Sequence, residues 1–174
     1  MGHVYRHLTD DGLKGDGSNW AGNVDGSSVP VPLYAGPPAG KDWLIERLIV
    51  MVKDNAVITA DTYGGIDVLT AGTGVQIMCK EGPTGKIILD LTDGGPVRSN
   101  AEWGKMCYDV AAHTFGSGDN YILVRWTFGK SGSPLRVSSV RNEKLVAVIN
   151  DNLTALTGHI FMIQGLEVNT GDSA

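Results

Sequence analysis

The sequence predicts an all-β protein built from antiparallel strands. Short segments along the chain alternate apolar with polar residues, which is the period of a half-buried strand. Glycine is unusually frequent, at 24 of 174 residues, and glycine-rich segments separate the apolar ones, as turns separate strands. About eight such apolar segments follow one another at spacings of roughly 8 to 20 residues, which is typical of an antiparallel sandwich or barrel.

Composition limits the classes of protein. Apolar residues make up 42% and charged residues 19% of the chain, which indicates one folded domain instead of a disordered chain. No apolar run approaches the roughly 18 residues that cross a bilayer, so we expect no membrane partner. The net charge of -5 and the lack of a basic cluster argue against a nucleic-acid partner, because phosphate binding needs clustered lysine and arginine.

The first 28 residues differ from the rest of the chain. They are rich in glycine, aspartate, serine and asparagine and follow neither the helical nor the strand period. Residues 1–28 are therefore predicted to form an extended N-terminal arm, and residues 29–174 a single β domain. Trp20 is an isolated indole in this polar arm and is a candidate anchor into a neighbouring subunit. The arm has no apolar centre, so we expect no secretory signal.

Two segments after the arm are predicted to be strands. Residues 29–34 should be extended at a sheet edge, because Pro30 and Pro32 remove two backbone donors. Residues 41–53 allow a helix, but their β-branched residues and the Pro-Pro-x-Gly entry favour a strand. Simple alternation then gives two sets of side chains, namely Leu44, Glu46, Leu48, Val50 and Val52 against Trp43, Ile45, Arg47, Ile49 and Met51. Both sets are mainly apolar, so we expect both faces to be covered.

The same alternation predicts the remaining strands. Residues 75–80 and 86–91 flank the turn EGPTG and should form a hairpin. Further strands are expected at 121–128, 135–137, 144–149 and 159–168. Residues 103–110 allow a helical turn or a strand, and we favour the strand. Residues 151–156 are expected to form one helical turn capped by Asp151 or Asn152.

Motifs for catalysis and metal binding are weak. The GKSGS segment at 129–133 lacks the spacing of a phosphate loop, and no G-x-S-x-G elbow occurs. The four histidines are dispersed without metal-ligand spacing, at His3, His7, His113 and His159. Cys79 and Cys107 are expected to be buried thiols, with a disulfide or a reactive thiol as alternatives. We therefore expect no enzymatic activity, no metal and no cofactor.

A few large side chains are candidates for contacts. Trp43 is expected in the core or in an interface, with carbohydrate stacking as the alternative. Arg47 and Arg125 each interrupt an apolar strand. Each arginine either pairs with a buried acid or forms an ion pair between subunits. The acids that the sequence offers for the first alternative are Glu46, Asp90 and Asp109.

A series of short motifs runs through residues 29–168. In order, these are PPAG at 37–40, Trp43-x-Ile45-x-Arg47, Asp54, Tyr108-Asp109, RWTF at 125–128, NDNL at 150–153 and Gln164-Gly165. The series resembles head decoration, or cement, proteins of tailed bacteriophages, which are small virion proteins with jelly-roll sandwiches. The arm at residues 1–28 has no counterpart in this resemblance.

The resemblance implies a structural function without catalytic residues. It implies a homo-dimer or homo-trimer that binds the major capsid protein on the outside of a DNA-filled head, after synthesis in a bacterial cytoplasm. The residues predicted for its interfaces are Trp20, Pro37, Pro38, Trp43, Arg47 and Arg125. Two alternatives stay open: a tail or baseplate module that binds host glycans, and a small metal-dependent enzyme of cupin type.

Overall fold

In the described part of the chain, ten strands form two antiparallel sheets. The computed structural model describes residues 1–8, 24–54, 75–81, 84–90, 108–113, 120–128, 134–154 and 158–171. Its strands are β1 (Gly2–His7), β2 (Val31–Ala35), β3 (Lys41–Asp54), β4 (Val75–Glu81), β5 (Thr84–Asp90), β6 (Tyr108–His113), β7 (Asn120–Thr127), β8 (Leu135–Ser138), β9 (Glu143–Ile149) and β10 (Gly158–Asn169). The first sheet has the order β1-β10-β3-β7-β6, with β8 also paired to β3, and the second has the order β2-β9-β4-β5.

The predicted all-β antiparallel class is confirmed, and no α-helix occurs in the described part of the chain. The ten strands exceed the eight or so expected. The hairpin predicted around EGPTG is present as β4 and β5. The strand predicted at 103–110 overlaps β6 only from Tyr108 onward, and residues 103–107 lie outside the described residues.

A β-bulge changes which side chains of β3 share a face. The register of β3 against β10 shifts between Gln164 and Gly165, which lie opposite Arg47 and Ile45, so Glu46 is the extra residue. One extra residue exchanges the two faces of the strand beyond it. The prediction of uniform alternation is therefore wrong, and the face next to the core carries Trp43, Ile45, Leu48 and Val50. Leu44 and Ile49 on the opposite face are also buried, as expected for a strand covered on both sides.

The second sheet buries apolar residues on its inner face, and Val146 and Val148 on the opposite face of β9 are also buried. Leu33 of β2 lies opposite Ala147 of β9, and Ala35 lies opposite Leu145. All four side chains are buried. Among the described strands β2 pairs only with β9, so it is an edge strand, as the prolines predict. Pro32 tolerates this position because it has no N–H to leave unpaired.

The N-terminal residues differ from the predicted arm. Residues 2–7 form β1, which pairs with β10 at the edge of the first sheet. Val4 and Leu8 are buried, and the Leu8 N–H donates to the carbonyl oxygen of Phe161 at 2.9 Å. Tertiary pairing with β10 orders a segment whose own pattern is too short to predict a strand. Trp20, the predicted anchor, lies outside the described residues.

The helical turn predicted at residues 151–156 is not found in the part that the structure describes. Asn152 instead forms a β-bridge with Asp25. Its side-chain oxygen accepts hydrogen bonds from the backbone N–H of Thr154 at 3.0 Å and from the Thr154 hydroxyl at 2.6 Å. The amide side chain therefore closes a local turn, which competes with helix formation.

A tight turn from Ser139 to Asn142 joins the two sheets, because β8 belongs to the first sheet and β9 to the second. The Asn142 N–H donates to the Ser139 carbonyl at 3.1 Å, and Asn142 has a φ of 54°. Asparagine tolerates this left-handed conformation better than other side chains do, and glycine adopts it freely.

Replacing Asn142 with alanine is expected to lower the free energy of unfolding by about 1 kcal/mol, because alanine is strained at positive φ. Asn142→Gly is the matched control and should keep or slightly raise the stability. Urea unfolding of the two variants checks the prediction. Equal losses in both variants would show that the asparagine side chain matters and the backbone conformation does not.

Candidate functional site

A pocket of about 490 Å³ lies between the edge strands β1 and β2. We call it the seam pocket, because it lies where the edges of the two sheets meet. Its lining comes from both sheets, from the loop after β2 and from the turn between β8 and β9. The residues that line it are Arg6, His7, Tyr34, Ala35, Gly36, Pro37, Pro38, Ala39, Trp43, Ser139, Asn142, Glu143, Lys144 and Glu167.

Trp43 and Glu167 form one side of the seam pocket as a directly opposed cross-strand pair. The Trp43 side chain is only 3% exposed. Its indole Nε1–H donates to Oε2 of Glu167 at 3.1 Å. A buried indole N–H needs such an acceptor. Glu167 is therefore committed to a donor inside the protein.

Glu143 is the second acid in the lining. It is buried, and both of its carboxylate oxygens accept hydrogen bonds. Its Oε2 accepts from the backbone N–H of Ser138 at 2.7 Å. The Arg141 guanidinium donates to both carboxylate oxygens, from Nε to Oε1 and from Nη2 to Oε2, each at 2.8 Å. Charge-assisted bonds of this two-point kind neutralise a buried carboxylate and fix its position. Both pocket acids thus have internal partners.

The Asp42 carboxylate of β3 binds the turn from Ser139 to Asn142. Arg136 donates to its Oδ2 from Nε at 2.9 Å and from Nη2 at 2.7 Å, and the Ser139 N–H donates to Oδ1 at 3.1 Å. Burial acts to raise the pKa of Asp42, but the hydrogen bonds from Arg136 and from the two serines outweigh it and hold the pKa below its ordinary value. The carboxylate stays ionised and ties β8 and the turn to β3.

Replacing Arg136 with methionine is expected to destabilise the protein by about 2 kcal/mol, because the buried Asp42 carboxylate loses its charged donor. Lys41→Met is the control, since the Lys41 ammonium donates to the exposed Asn169 side chain, and exposed contacts of this kind contribute little. Urea unfolding at neutral pH measures both. A loss no greater than that of the control would contradict the role given to Arg136.

Two cations in the lining have no acidic partner in the described part of the chain. The Lys144 ammonium lies 4.5 Å from the ring centroid of Tyr34, which is a cation–π contact. The Arg6 guanidinium donates only to the neighbouring Tyr5 carbonyl at 3.2 Å. Both side chains are exposed. Glu143 is neutralised by Arg141, whereas the donor to Glu167 is an uncharged indole, so the seam pocket carries both signs of charge beside an aromatic ring.

Only some of the predicted interface residues come together. Pro37, Pro38 and Trp43 all line the seam pocket. Arg47 lies on the outer face of β3 and donates from Nη1 to Oε1 of Gln164 at 3.3 Å, so this glutamine replaces the acids proposed for it. Arg125 is exposed on β7 and lies directly opposite Asp109 of β6 in the register, which is one of the acids that the sequence offers for it.

Local sequence patterns did not predict that Arg6, Lys144 and Tyr34 would line one pocket. Arg6 lies in a segment predicted to be an arm, and Lys144 and Tyr34 lie on strands about 110 residues apart in the sequence. One signal was present: Val4 and Leu8 are apolar and Arg6 lies between them in a strand-like alternation. The convergence of the three residues depends on pairing between distant strands, which local patterns do not report.

Among the described residues, no group of three or more His, Cys, Asp or Glu side chains is placed to hold a metal ion. His3 and His7 lie on β1, which is a strand and not the helix that would bring them together. In the same part of the chain, no helix has the length and apolar character needed to cross a membrane.

Comparison of the chain with protein-family models, with curated proteins and with solved structures finds no match.

Proposed function

We propose that this protein is a structural virion subunit that binds the outside of a tailed-phage head and stabilises it. In this proposal the two sheets form a jelly-roll-like sandwich, and the seam pocket is part of the contact surface. The observation that carries the proposal is that Pro37, Pro38 and Ala39 of the PPAG motif line one pocket with the buried Trp43, because both motifs belong to the series that resembles decoration proteins.

Mechanically, such a subunit needs a rigid body and several modest contacts. The buried pairs between β3 and β10 and the tethered turn from Ser139 to Asn142 supply the rigid body. The proposed partner is the major capsid protein, with a homo-dimer or homo-trimer as the decorating unit. Repeated weak contacts on a symmetric lattice add up to stable attachment. Trp20 and Arg125 are proposed as further contact residues.

Co-sedimentation with expanded, undecorated heads tests the proposal. The native protein should pellet with the heads, and Pro38→Glu should weaken binding by about tenfold, because it places a charge at an interface. Val29→Glu is the matched control, since Val29 is 72% exposed and does not line the seam pocket. Absence of co-sedimentation by the native protein would overturn the proposed function.

The alternative is a tail or baseplate module that binds host glycans. Trp43 is one of the residues on which a sugar was expected to stack in this alternative. Because its indole is buried, it has no free face for a sugar. Tyr34, which is half-buried in the same lining, is the aromatic side chain that supports this alternative. A glycan array with specific binding that is lost in Tyr34→Ala would favour it over the virion role.

A further inference from the structure

We propose that the seam pocket binds a small zwitterion whose carboxylate and ammonium groups are separated by an apolar chain, as in an ω-amino acid. The inference goes beyond the proposed function and does not depend on it. It stands on three observations: the size and lining of the seam pocket, the presence of both signs of charge in that lining, and the separation of those charges along the strands.

The first observation is the size and lining of the seam pocket. Its volume of about 490 Å³ lies within the range of roughly 300 to 1,000 Å³ that is typical of small-molecule sites. Apolar surface comes from Pro37, Pro38 and the half-buried ring of Tyr34. Small-molecule sites combine such apolar walls with a few polar groups that fix the orientation of the ligand. The seam pocket offers both.

The second observation is that the lining carries both signs of charge. The Glu167 carboxylate has the uncharged indole of Trp43 as its donor, so this contact does not offset its negative charge. Arg6 and Lys144 are positive, and neither has an acidic partner in the described part of the chain. Like charges that meet without a partner are costly in binding. A ligand with one sign of charge is therefore repelled by part of this lining, and a zwitterion is not.

Two further titratable side chains in the lining do not change this balance. The negative charge of Glu143 is offset by the two-point contact with Arg141. Burial lowers the pKa of His7 from its ordinary value, so its ring is uncharged at neutral pH. The charges that a ligand meets are therefore those of Arg6, Lys144 and Glu167.

The third observation is the separation of the two signs along β1 and β10. Glu167 lies directly opposite Gly2, and Arg6 is four residues farther along β1 on the same face. At about 3.4 Å per residue, the backbones of Arg6 and Glu167 are roughly 14 Å apart along the strands. Strand side chains stand roughly perpendicular to the sheet, so much of this separation remains at their ends. A ligand that contacts both needs charges that are apart from each other.

The lining has free donors and an acceptor for such a ligand. The Arg6 guanidinium donates from Nη1 to the Tyr5 carbonyl, and the group has five N–H donors in all. The Lys144 ammonium lies 4.5 Å from the centroid of the Tyr34 ring and has three donors. The ligand carboxylate accepts from these two cations, and the ligand ammonium donates to Glu167. Charge-assisted hydrogen bonds at both ends then fix the orientation of the apolar chain.

Isothermal titration calorimetry of the full chain with four related probes tests the proposal. The zwitterion 6-aminohexanoate has its charges at the two ends of an apolar chain and should bind, with an affinity that falls with salt. Hexanoate and hexylammonium lack one charge, and glycine lacks the separation. Each should bind at least about tenfold more weakly, which corresponds to about 1.4 kcal/mol. Equal binding by any of these three probes, or no binding of 6-aminohexanoate, would overturn the proposal.

Variants of the protein locate the binding. Glu167→Gln removes the negative charge but keeps a side-chain oxygen that accepts from the Trp43 indole, and it should bind 6-aminohexanoate no better than hexanoate. Arg6→Gln combined with Lys144→Gln should bind the zwitterion no better than hexylammonium. Lys41→Gln, a cation outside the lining, should keep the native preference. The native preference in either of the two pocket variants would overturn the proposed site.

This proposal and the virion role fail separately. Head co-sedimentation without binding of 6-aminohexanoate would leave the virion role and remove the ligand site. Binding of 6-aminohexanoate without co-sedimentation would leave the ligand site and remove the virion role.

Discussion

Replacing Gly165 with alanine is expected to lower the free energy of unfolding by at least about 3 kcal/mol. A Cβ at this position would lie 2.1 Å from the carbonyl oxygen of Leu44 and 2.9 Å from Cα of Ile45. Both atoms belong to the backbone of β3, and they cannot move away without breaking the ladder beside the bulge at Glu46. Gly165 is thus required by the close approach of two strands.

Urea unfolding of Gly165→Ala measures this effect, and Gly2→Ala is the matched control. Gly2 lies on β1 in the same sheet, but a Cβ there would be 3.8 Å from Cβ of Glu167, which is an ordinary contact. Because alanine loses less entropy on folding than glycine, the control should be neutral or slightly stabilising. Equal stability of the two variants would show that β10 can shift away from β3.

Acidification is expected to remove about 3 kcal/mol of stability between pH 6.5 and about 4, through His159. The His159 side chain is buried, and its ring centroid lies 5.6 Å from that of Phe161. Neither ring nitrogen has a hydrogen-bond partner among the described residues. Burial without a partner disfavours the charged imidazolium and lowers the pKa of His159 from its usual 6.5 to about 4.

The sign of the pH dependence of stability follows from the difference in proton binding between the folded and unfolded states. Below pH 6.5 the unfolded chain protonates this histidine, while the folded protein does not until the pH reaches about 4. The unfolded state therefore binds the extra proton, and stability is complete above pH 6.5 and falls as the pH decreases through this window. The pKa of Asp42 lies below its ordinary value, so loss of its ion pair with Arg136 begins only at lower pH.

His159→Leu separates this effect from other titrating groups. The variant should lose most of the pH dependence between pH 6.5 and 4 and should be at least as stable as the native protein at acid pH, because an unpaired polar ring is replaced by an apolar side chain. His3→Gln, on the exposed end of β1, should keep the native dependence.

The measurement is the free energy of unfolding from urea titrations at several pH values. Burial also lowers the pKa of the half-buried His7, so a small slope in the same direction should persist in His159→Leu. An unchanged slope in His159→Leu would show that other groups carry the acid sensitivity.

Local sequence patterns were sufficient to predict the positions of most strands. Alternation of apolar residues predicted β7, β9 and β10 within one or two residues at most boundaries, and the turn EGPTG predicted the β4–β5 hairpin. These patterns report burial on one face, which depends on neighbours two positions apart in the same chain segment. The prolines likewise predicted that β2 is an edge strand, because a missing N–H is a property of the residue itself.

The structural features that local patterns did not predict share a cause. The bulge at Glu46 is invisible in the pattern of KDWLIERLIVMVK, since it depends on the close approach of Gly165 from a strand more than 100 residues away. β1 was missed because the segment around Val4 forms a strand only when β10 supplies hydrogen bonds. The predicted turn at Asn152 was likewise displaced by a β-bridge to Asp25.

Local sequence patterns were sufficient to predict the all-β class, most strand positions and three residues of the candidate site, Pro37, Pro38 and Trp43. They were not sufficient to predict the register of β3, the membership of β1 in a sheet or the place of Arg6 and Lys144 in the lining of one pocket. Side-chain period and turn chemistry act over a few residues, whereas strand pairing and pocket linings arise from segments that meet only after the chain has folded.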